Sequence, residues 1–286
     1  MTEQQQTTSG TAVPPMPRTP PPAVGPPESP IRKDRRVLRA VLRWTAAVVV
    51  FAATGAGTAY GTAGLERTDV PGLATASDGR WDYPEIVRPP LPSGSPGPFA
   101  EDNPAGAHHA DLRALVLPAP AGATDDKALR GTDGWLATED FLAEYARQED
   151  RKKFGQQLTD HAVRHIAARG WTTRDGTHTR IYLLQFNTAA LLDNLFREGI
   201  APYGGPAYQV REAEESVHDA EFPTRARFDD ILYSVYAEAK PYGAEQVRHA
   251  YLRVGDTLAV IVQSRKGAAA AVPFQQTVVL QSELLA

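Results

Sequence analysis

The sequence predicts an α+β domain, in which helices pack on an antiparallel sheet, preceded by a single transmembrane helix and by disordered proline-rich segments. Three observations lead to this prediction. A run of 22 residues without charge or proline occupies 44–65, prolines crowd the segments on both sides of it, and helical and strand-like patterns alternate after residue 110. The chain of 286 residues is therefore divided into a tail over 1–43, a membrane helix over 44–65, a stalk over 66–110 and a folded domain over 111–286.

The segment from Trp44 to Leu65 has the length of a membrane span. At a rise of ~1.5 Å per residue it covers about 33 Å, and the hydrocarbon core of a bilayer is ~30 Å thick. Six Arg and Lys residues lie between 32 and 43, whereas the residues after Leu65 carry no positive excess. The positive-inside rule then predicts a single-pass signal-anchor protein of the cell membrane, with a cytoplasmic N-terminus and an extracytoplasmic C-terminal domain.

Two other interpretations compete with this one. A cleavable signal peptide would be cut after Ala63, at the small-x-small sequence Gly61-Thr62-Ala63, and the protein would then be secreted. The charged preface of more than 40 residues argues against cleavage. A buried core helix would leave the six flanking cations unexplained.

Small residues recur every fourth position along the predicted membrane helix. Ala53, Gly57 and Gly61 form a stripe of the kind that lets two membrane helices approach closely. A homodimer through this stripe is therefore one candidate partner interaction. The alternative is that Ala and Gly are simply abundant in this chain.

The two proline-rich segments are predicted to lack a core of their own. Residues 11–30 contain nine prolines, a composition that favours extended polyproline II. The tail over 1–43 is therefore expected to be a disordered leader, with docking to an aromatic groove of a cytoplasmic partner as the alternative. The stalk over 66–110 is expected to be a semi-rigid spacer. It ends near His108-His109, and two neighbouring histidines are too few ligands for a metal site.

Composition excludes several classes of function. A net charge of −4 with mixed signs offers no basic face for phosphates, so nucleic acid is not an expected partner. The chain contains no cysteine, which rules out disulfides, a thiolate nucleophile, Cys-ligated zinc or iron–sulfur sites and a lipid-modified Cys anchor. We expect no cofactor.

The elements of the domain over 111–286 follow from its apolar periodicity. Strands are expected over 112–117, 179–186, 231–236, 247–254 and 257–264. Helices are expected from Thr138 as N-cap, over 151–169 with Gly170 after its end, from Thr188 or Asn187 as N-cap to Gly199, and from Pro273. Gly255-Asp256 is predicted to close a hairpin between the last two strands. The last helix is expected to bury Phe274, Val278, Gln281 and Leu285 on one face.

The predicted helix over 151–169 carries two histidines four residues apart. His161 and His165 would share one helix face, as a metal site requires. Ala162 stands where a metalloprotease has its general-base Glu, so partly buried histidines are favoured over metal ligands and no catalytic residue is predicted. The two histidines stay on the list of candidate ligand-binding residues.

The segment Tyr203-Gly-Gly-Pro-Ala-Tyr208 is an aromatic, glycine-rich loop. Glycine permits close backbone approach, and tyrosine offers both surface area and a hydroxyl group. Tyr203 and Tyr208 are therefore the other candidate ligand-binding residues. The alternative is a plain turn with packed aromatic side chains.

Several short sequence segments of the domain resemble a known group of proteins. Asp111-Leu-Arg-Ala-Leu-Val-Leu-Pro-Ala-Pro-Ala-Gly122, Arg180-Ile-Tyr-Leu-Leu-Gln-Phe186 and the stretch from Tyr251 to Leu285, together with Asp133-Gly134, resemble uncharacterised actinobacterial envelope proteins with an extracytoplasmic sensor-like domain. The resemblance covers most of 111–286. It implies an envelope location and a binding or sensing role, and it supplies no catalytic residue. Many of those proteins are lipoproteins, whereas this chain has a helix in place of the lipid-bearing Cys.

The motifs of common enzymes do not occur in the sequence. It has no Gly-x-Ser-x-Gly elbow, phosphate-binding loop or dinucleotide fingerprint. We therefore expect a membrane-anchored extracytoplasmic module that binds an envelope protein, a peptide or a small ligand. The alternatives are an anchored hydrolase, with His161, His165 and a carboxylate such as Asp160 in its site, and a structural scaffold of the cell envelope.

Overall fold

The computed structural model describes residues 36–63, 77–202 and 204–286. The chain divides into two compact units, Met1–Thr75 and Ala76–Ala286. Most of the predicted tail and the first part of the predicted stalk lie outside the described residues.

The first unit contains one long helix, α1, which spans Arg36–Ala63. Its stretch Arg36–Thr58 contains an 18-residue window with a mean hydropathy of 1.6, and none of that window is buried within the protein. By length and composition, α1 is the single helix among the described residues that could cross a membrane. The helix begins eight residues before Trp44, the predicted start of the membrane span, because 36–43 consists of Arg, Leu, Val and Ala and continues the helix.

The second unit is built on one sheet of seven antiparallel strands, which confirms the predicted α+β class. The strands are β1 (Thr124–Asp126), β2 (Val163–Thr172), β3 (His178–Phe186), β4 (Ser216–His218), β5 (Leu232–Glu238), β6 (Glu245–Val254) and β7 (Thr257–Lys266). They lie side by side in the order β1-β2-β3-β7-β6-β5-β4. The five longer strands in the middle are therefore flanked by two edge strands of three residues each, β1 and β4, and short edge strands are a common way to protect a sheet edge.

Helices cover both faces of this sheet. They are α2 (Thr138–Leu142), α3 (Gln148–Asp160), α4 (Ala189–Asn194), which continues as a π-helical turn over Leu195–Ile200, and α5 (Ala271–Leu285). Side chains of β7 alternate between two cores, as strand geometry requires. Leu258 and Val260 face the core beneath α2, α3 and α4, whereas Ala259 and Ile261 face the core beneath α5.

The predicted hairpin is confirmed. β6 pairs with β7 from Glu245 opposite Lys266 to Val254 opposite Thr257, with Gly255-Asp256 as its turn. Gly255 has a φ of +50°, and a Cβ there would lie 2.3 Å from the carbonyl oxygen of Gly106. The turn therefore requires glycine both for its backbone angle and for the segment that lies against it.

The expected strand over 112–117 is wrong. Leu112–Ala114 forms a 3-10 turn, whose start is capped by the Asp111 carboxylate as it accepts from the Arg113 backbone N–H. The apolar side chains of this run are buried all the same, including Leu115 and Leu117. Apolar periodicity cannot distinguish a short strand from a short buried turn. Here the Asp111 cap favours the turn.

The expected helix over 151–169 is also wrong. The helix α3 ends at Asp160, Ala162 takes a left-handed φ of +56°, and the chain enters β2 at Val163. Gly170 does not follow a helix end. It sits inside β2, where a Cβ would lie 2.4 Å from a side-chain carbon of Leu129.

The ends of the other helices differ from the prediction by a few residues. Thr188 caps α4 as expected and accepts from the Leu191 N–H, but the helix runs past Gly199. Thr138 is the first residue of α2, not its cap. Pro273 is the third residue of α5. The four residues predicted to share one face of α5 are all buried.

Candidate binding groove

Residues 77–110, here called the strap, belong to the folded unit. The compact unit begins at Ala76, well before residue 111, where the folded domain was predicted to start. Trp81, Tyr83 and Ile86 of the strap pack against the core beneath α5. Their aromatic and branched side chains explain why this proline-rich stretch does not behave as a spacer.

One glutamine of α5 holds the start of the strap. The Gln276 side chain accepts from the Trp81 N–H at 2.8 Å and donates to the Trp81 carbonyl oxygen at 2.9 Å. At the next residue, the Thr277 hydroxyl donates to the Pro273 carbonyl, which leaves its oxygen to accept from the Tyr83 hydroxyl at 2.9 Å. Burial raises the pKa of Tyr83, so this hydroxyl stays protonated and donating.

A second glutamine of α5 holds the segment that follows the strap. The buried Gln281 side chain accepts from the Leu117 N–H and donates to the Leu115 carbonyl, both at 2.9 Å. An amide side chain offers one donor and one acceptor, as a neighbouring strand would. Two glutamines thus replace a strand partner for irregular backbone that would otherwise be buried with unpaired polar groups.

The end of the strap is fixed by His108. Its ring Nδ1 lies 2.9 Å from an Asp256 carboxylate oxygen, and its Nε2 lies 2.9 Å from the Leu285 carbonyl oxygen. Gln185 donates to the other Asp256 oxygen at 3.1 Å, and Thr257 donates to Asp256 at 3.0 Å. This buried network joins the strap, the β6–β7 turn and the end of α5.

A groove of about 590 Å³ runs between the strap and α5. Its walls are lined by Tyr83, Pro84, Ile86, Arg88, Phe228, Gln276, Leu280, Glu283 and Leu284. A smaller cavity of about 190 Å³ adjoins it and shares Arg88 and Leu284. The volume is that of a binding site for a small molecule or a peptide segment, and six of the nine lining residues are apolar or aromatic.

The groove carries one charge of each sign. Arg88 and Glu283 are exposed, and neither makes an ion pair within the described part of the chain. Phe228 projects over the groove with 37% of its surface exposed. Apolar walls with polar groups at the rim allow an extended apolar segment to bind while its polar ends stay paired.

The two histidines predicted as neighbours on one helix face lie on different elements. His161 follows the end of α3, where its ring nitrogens lie 2.8 Å from the Gln157 carbonyl and 3.3 Å from the Asn194 side-chain oxygen. His165 lies on β2, and its ring is 4.6 Å from that of Trp135. Within the described residues, no group of three or more His, Asp or Glu side chains is placed to hold a metal ion.

Tyr208 is a core residue rather than an exposed ligand. Its ring stacks on Phe154 at 4.7 Å, and its hydroxyl donates to the Gln157 side chain. Burial raises the pKa of the Tyr208 hydroxyl. Gln157 therefore contacts both Tyr208 and His161, while His165 is elsewhere. Tyr203 lies outside the described residues.

The loop that contains Tyr208 does border a cleft. Gly204 and Gly205 line a cavity of about 330 Å³ with Arg147, Asp150 and Glu214 among its walls. Its walls are more polar than those of the groove, and the tyrosine predicted to serve it points into the core.

Sequence reasoning missed the groove because half of its wall comes from the predicted stalk. The available signal was aromatic: Trp81 and Tyr83 stand three residues or fewer from Pro84 in a stretch otherwise poor in large side chains. No known protein family, curated protein or solved structure matches this chain.

Proposed function

We propose that this chain is a membrane-anchored binding module of the cell envelope, whose groove between the strap and α5 holds an extended apolar segment of an envelope protein or peptide. The groove is the observation that carries the proposal. It is the largest of the cavities described above, and its two walls are fixed to each other by Gln276 and by the His108 network. Because hydrogen bonds already hold the two walls together, binding to the groove should cost little conformational entropy.

The envelope location rests on α1 and on the cations before it. The helix could cross a membrane, and the positive-inside rule then favours an extracytoplasmic position for the second unit. The resemblance to actinobacterial envelope proteins supports the same location. A dimer through Ala53, Gly57 and Gly61 remains a prediction.

A binding role is favoured over the anchored hydrolase. That alternative requires His161 and His165 to converge on one site, and the structure places them on different elements with different neighbours. The groove lining contains no histidine that a nucleophile could use as its base.

Site-specific photocrosslinking tests the groove. A photoreactive phenylalanine analogue is placed at Phe228, over the groove, and in a second variant at Leu191, on α4 at the other face of the sheet. Both native side chains are 37% exposed, so the two probes are matched in accessibility. In cells that make the full chain, we expect a discrete crosslinked product from position 228 and none from position 191. Equal labelling from both positions, or none from 228, would overturn the proposal.

The orientation has its own test. Protease added to intact cells should remove the second unit and leave the N-terminal tail protected. Loss of the tail with survival of the second unit would show that the proposed topology is reversed.

A further inference from the structure

A second pocket lies at the outer edge of β2, and three arginines line it. Its volume is about 270 Å³. Arg113 comes from the 3-10 turn after Asp111, Arg130 from the turn that follows β1, and Arg169 from β2 itself. This pocket shares no lining residue with the groove.

The pocket exists because the edge of β2 is only partly covered. β1 pairs with β2 at positions 170–172, and the Leu136 N–H donates to the Ile166 carbonyl at 2.8 Å. Between these two contacts the edge stays open. In an antiparallel strand the N–H and C=O of one residue point to the same side, and that side alternates from residue to residue. The Ala168 N–H therefore points to the same open edge as the Ile166 carbonyl.

Small residues leave space beneath the three guanidinium groups. Gly134, Ala167 and Ala168 form part of the wall. The Arg113 side chain packs over Gly134, where a Cβ would lie 2.7 Å from its Cδ. The Arg113 guanidinium also lies 4.9 Å from the centre of the Trp135 ring, which fixes its plane beside the pocket.

Two of the three arginines already have counter-ions. Arg113 is paired with Asp111 at 2.7 Å and donates to the Asp133 carbonyl, and Arg130 is paired with Asp125. Their charges are therefore largely balanced, and they serve as hydrogen-bond donors at the rim.

Arg169 is the arginine of the pocket whose positive charge has no counter-ion among the described residues. It is half-buried, and the hydrogen bond recorded for its guanidinium goes to the Val116 carbonyl at 3.3 Å. It forms no ion pair with any described residue. Burial lowers the pKa of Arg169, and the neighbouring Arg130 lowers it further, while Asp125 partly offsets both. An anion beside this guanidinium would relieve the cost of burying its charge.

We propose that this pocket binds the phosphate group of a small ligand, with Arg169 as its ion-pair partner and Arg113, Arg130 and the Ala168 amide as further donors. Guanidinium forks match the oxygen spacing of phosphate and bind it in a bidentate manner. The volume is close to the lower end of small-molecule sites, roughly 300 Å³, and exceeds what one inorganic anion fills. The chemistry fits either inorganic phosphate or a small phosphate ester, and the volume favours the ester.

The test is a titration of the full chain in detergent micelles, followed by intrinsic tryptophan fluorescence, with a Trp135→Phe variant to identify the part of the signal that comes from Trp135 beside the pocket. Inorganic phosphate and glycerol phosphate are added separately at constant ionic strength. We expect a saturable change with glycerol phosphate. Tighter binding of glycerol phosphate identifies an ester site, and equal binding of the two identifies a phosphate site. Absence of saturable binding by both probes overturns the proposal.

Variants assign the binding to this pocket. Arg169→Gln should weaken binding at least tenfold, because it removes the one unpaired cation, and Arg169→Lys should retain part of it. Arg164→Gln is the matched control, since Arg164 is exposed on the same strand and does not line the pocket. Arg130→Gln changes an exposed side chain and should weaken binding about threefold even if Arg169→Gln fails to fold. Equal weakening by Arg164→Gln, or unchanged binding in both Arg169→Gln and Arg130→Gln, would contradict the assignment.

Discussion

The two faces of the sheet are closed in different ways. Beneath α2, α3 and α4, aromatic rings fill the space: Phe141, Tyr145, Phe154 and Tyr182 lie 5.1–5.7 Å apart in edge-to-face contacts. Beneath α5, a single helix leaves part of the sheet to the strap, which glutamine and histidine side chains hold in place.

This difference explains where the groove lies. Regular helices pack their side chains into one another and leave few voids. An irregular strap rich in proline cannot follow the helix surface closely, so a groove remains between it and α5. One face is therefore closely packed, and the other contains the groove for which we propose a ligand.

The largest loss of stability is expected on the aromatic face of the sheet, the one beneath α2, α3 and α4, when a buried charge there loses its partner. Glu144 accepts two bonds from Arg180, at 2.8 and 2.9 Å, and one from the Tyr182 hydroxyl at 2.7 Å. Glu144→Ala leaves a buried guanidinium unpaired, and we expect unfolding free energy to fall by about 3–5 kcal/mol. Urea denaturation of the full chain in micelles measures it.

The control for Glu144→Ala removes the whole polar group. Glu144→Leu combined with Arg180→Met and Tyr182→Phe leaves no unpaired charge, so it should cost less than the single change. A loss below about 1 kcal/mol in the single variant would mean that water reaches this site.

The next largest loss of stability is expected on the face beneath α5 and the strap, when a glutamine that holds the backbone there is replaced. Gln281→Leu leaves the Leu117 N–H and the Leu115 carbonyl without their partner in a buried site. At about 1–3 kcal/mol for each group, we expect a loss of at least about 2 kcal/mol, measured in the same way. Gln275→Leu, on a less buried position of α5, should change stability by less than about 0.5 kcal/mol. Similar losses in both variants would contradict the role given to Gln281.

The aromatic face also contains a histidine that should make stability depend on pH. His249 is fully buried between Tyr236 and Tyr251, and within the described structure both of its ring nitrogens lack a hydrogen-bond partner. Burial lowers the pKa of His249 from 6.5 to about 3. The unfolded chain therefore binds a proton below pH 6.5 that the folded chain excludes down to about pH 3, so this residue removes stability as the pH falls through that window.

His249→Phe should abolish this contribution. We expect the difference in unfolding free energy between the variant and the wild type to shift by about 2 kcal/mol in favour of the variant between pH 7 and pH 5. The measurement is urea denaturation at several pH values. The six other histidines are unchanged in the variant, so their contributions cancel in the comparison. A difference that does not vary with pH would show that His249 is hydrated.

The smallest effect on stability is expected at the groove itself. Phe228→Ser changes a partly exposed side chain, so we expect less than about 0.5 kcal/mol in unfolding free energy. Binding should nonetheless fall, and it can be read from crosslinking at a neighbouring groove position such as Leu280. Unchanged crosslinking in Phe228→Ser would mean that the ligand does not contact this part of the groove.

Local patterns were enough for the central hairpin and the last helix. Gly255-Asp256 between two apolar runs specified a turn, and the spacing of Phe274, Val278 and Leu285 specified the buried face of α5. Local patterns failed at residue 162. There the helical spacing of Leu158, His161 and His165 continued across a left-handed residue, and only pairing with β3 showed that the chain had become a strand.

The sequence alone determined the α+β class, the antiparallel hairpin and one helix long and apolar enough to cross a membrane, because these depend on periodicity and on neighbouring residues. Only the tertiary structure decided that the strap belongs to the folded unit, that His161 and His165 separate, and that Arg113, Arg130 and Arg169 line one pocket. Each of these depends on contacts between residues distant in the chain. Gln276 reaches Trp81 across 195 positions, and no local pattern encodes such a bond.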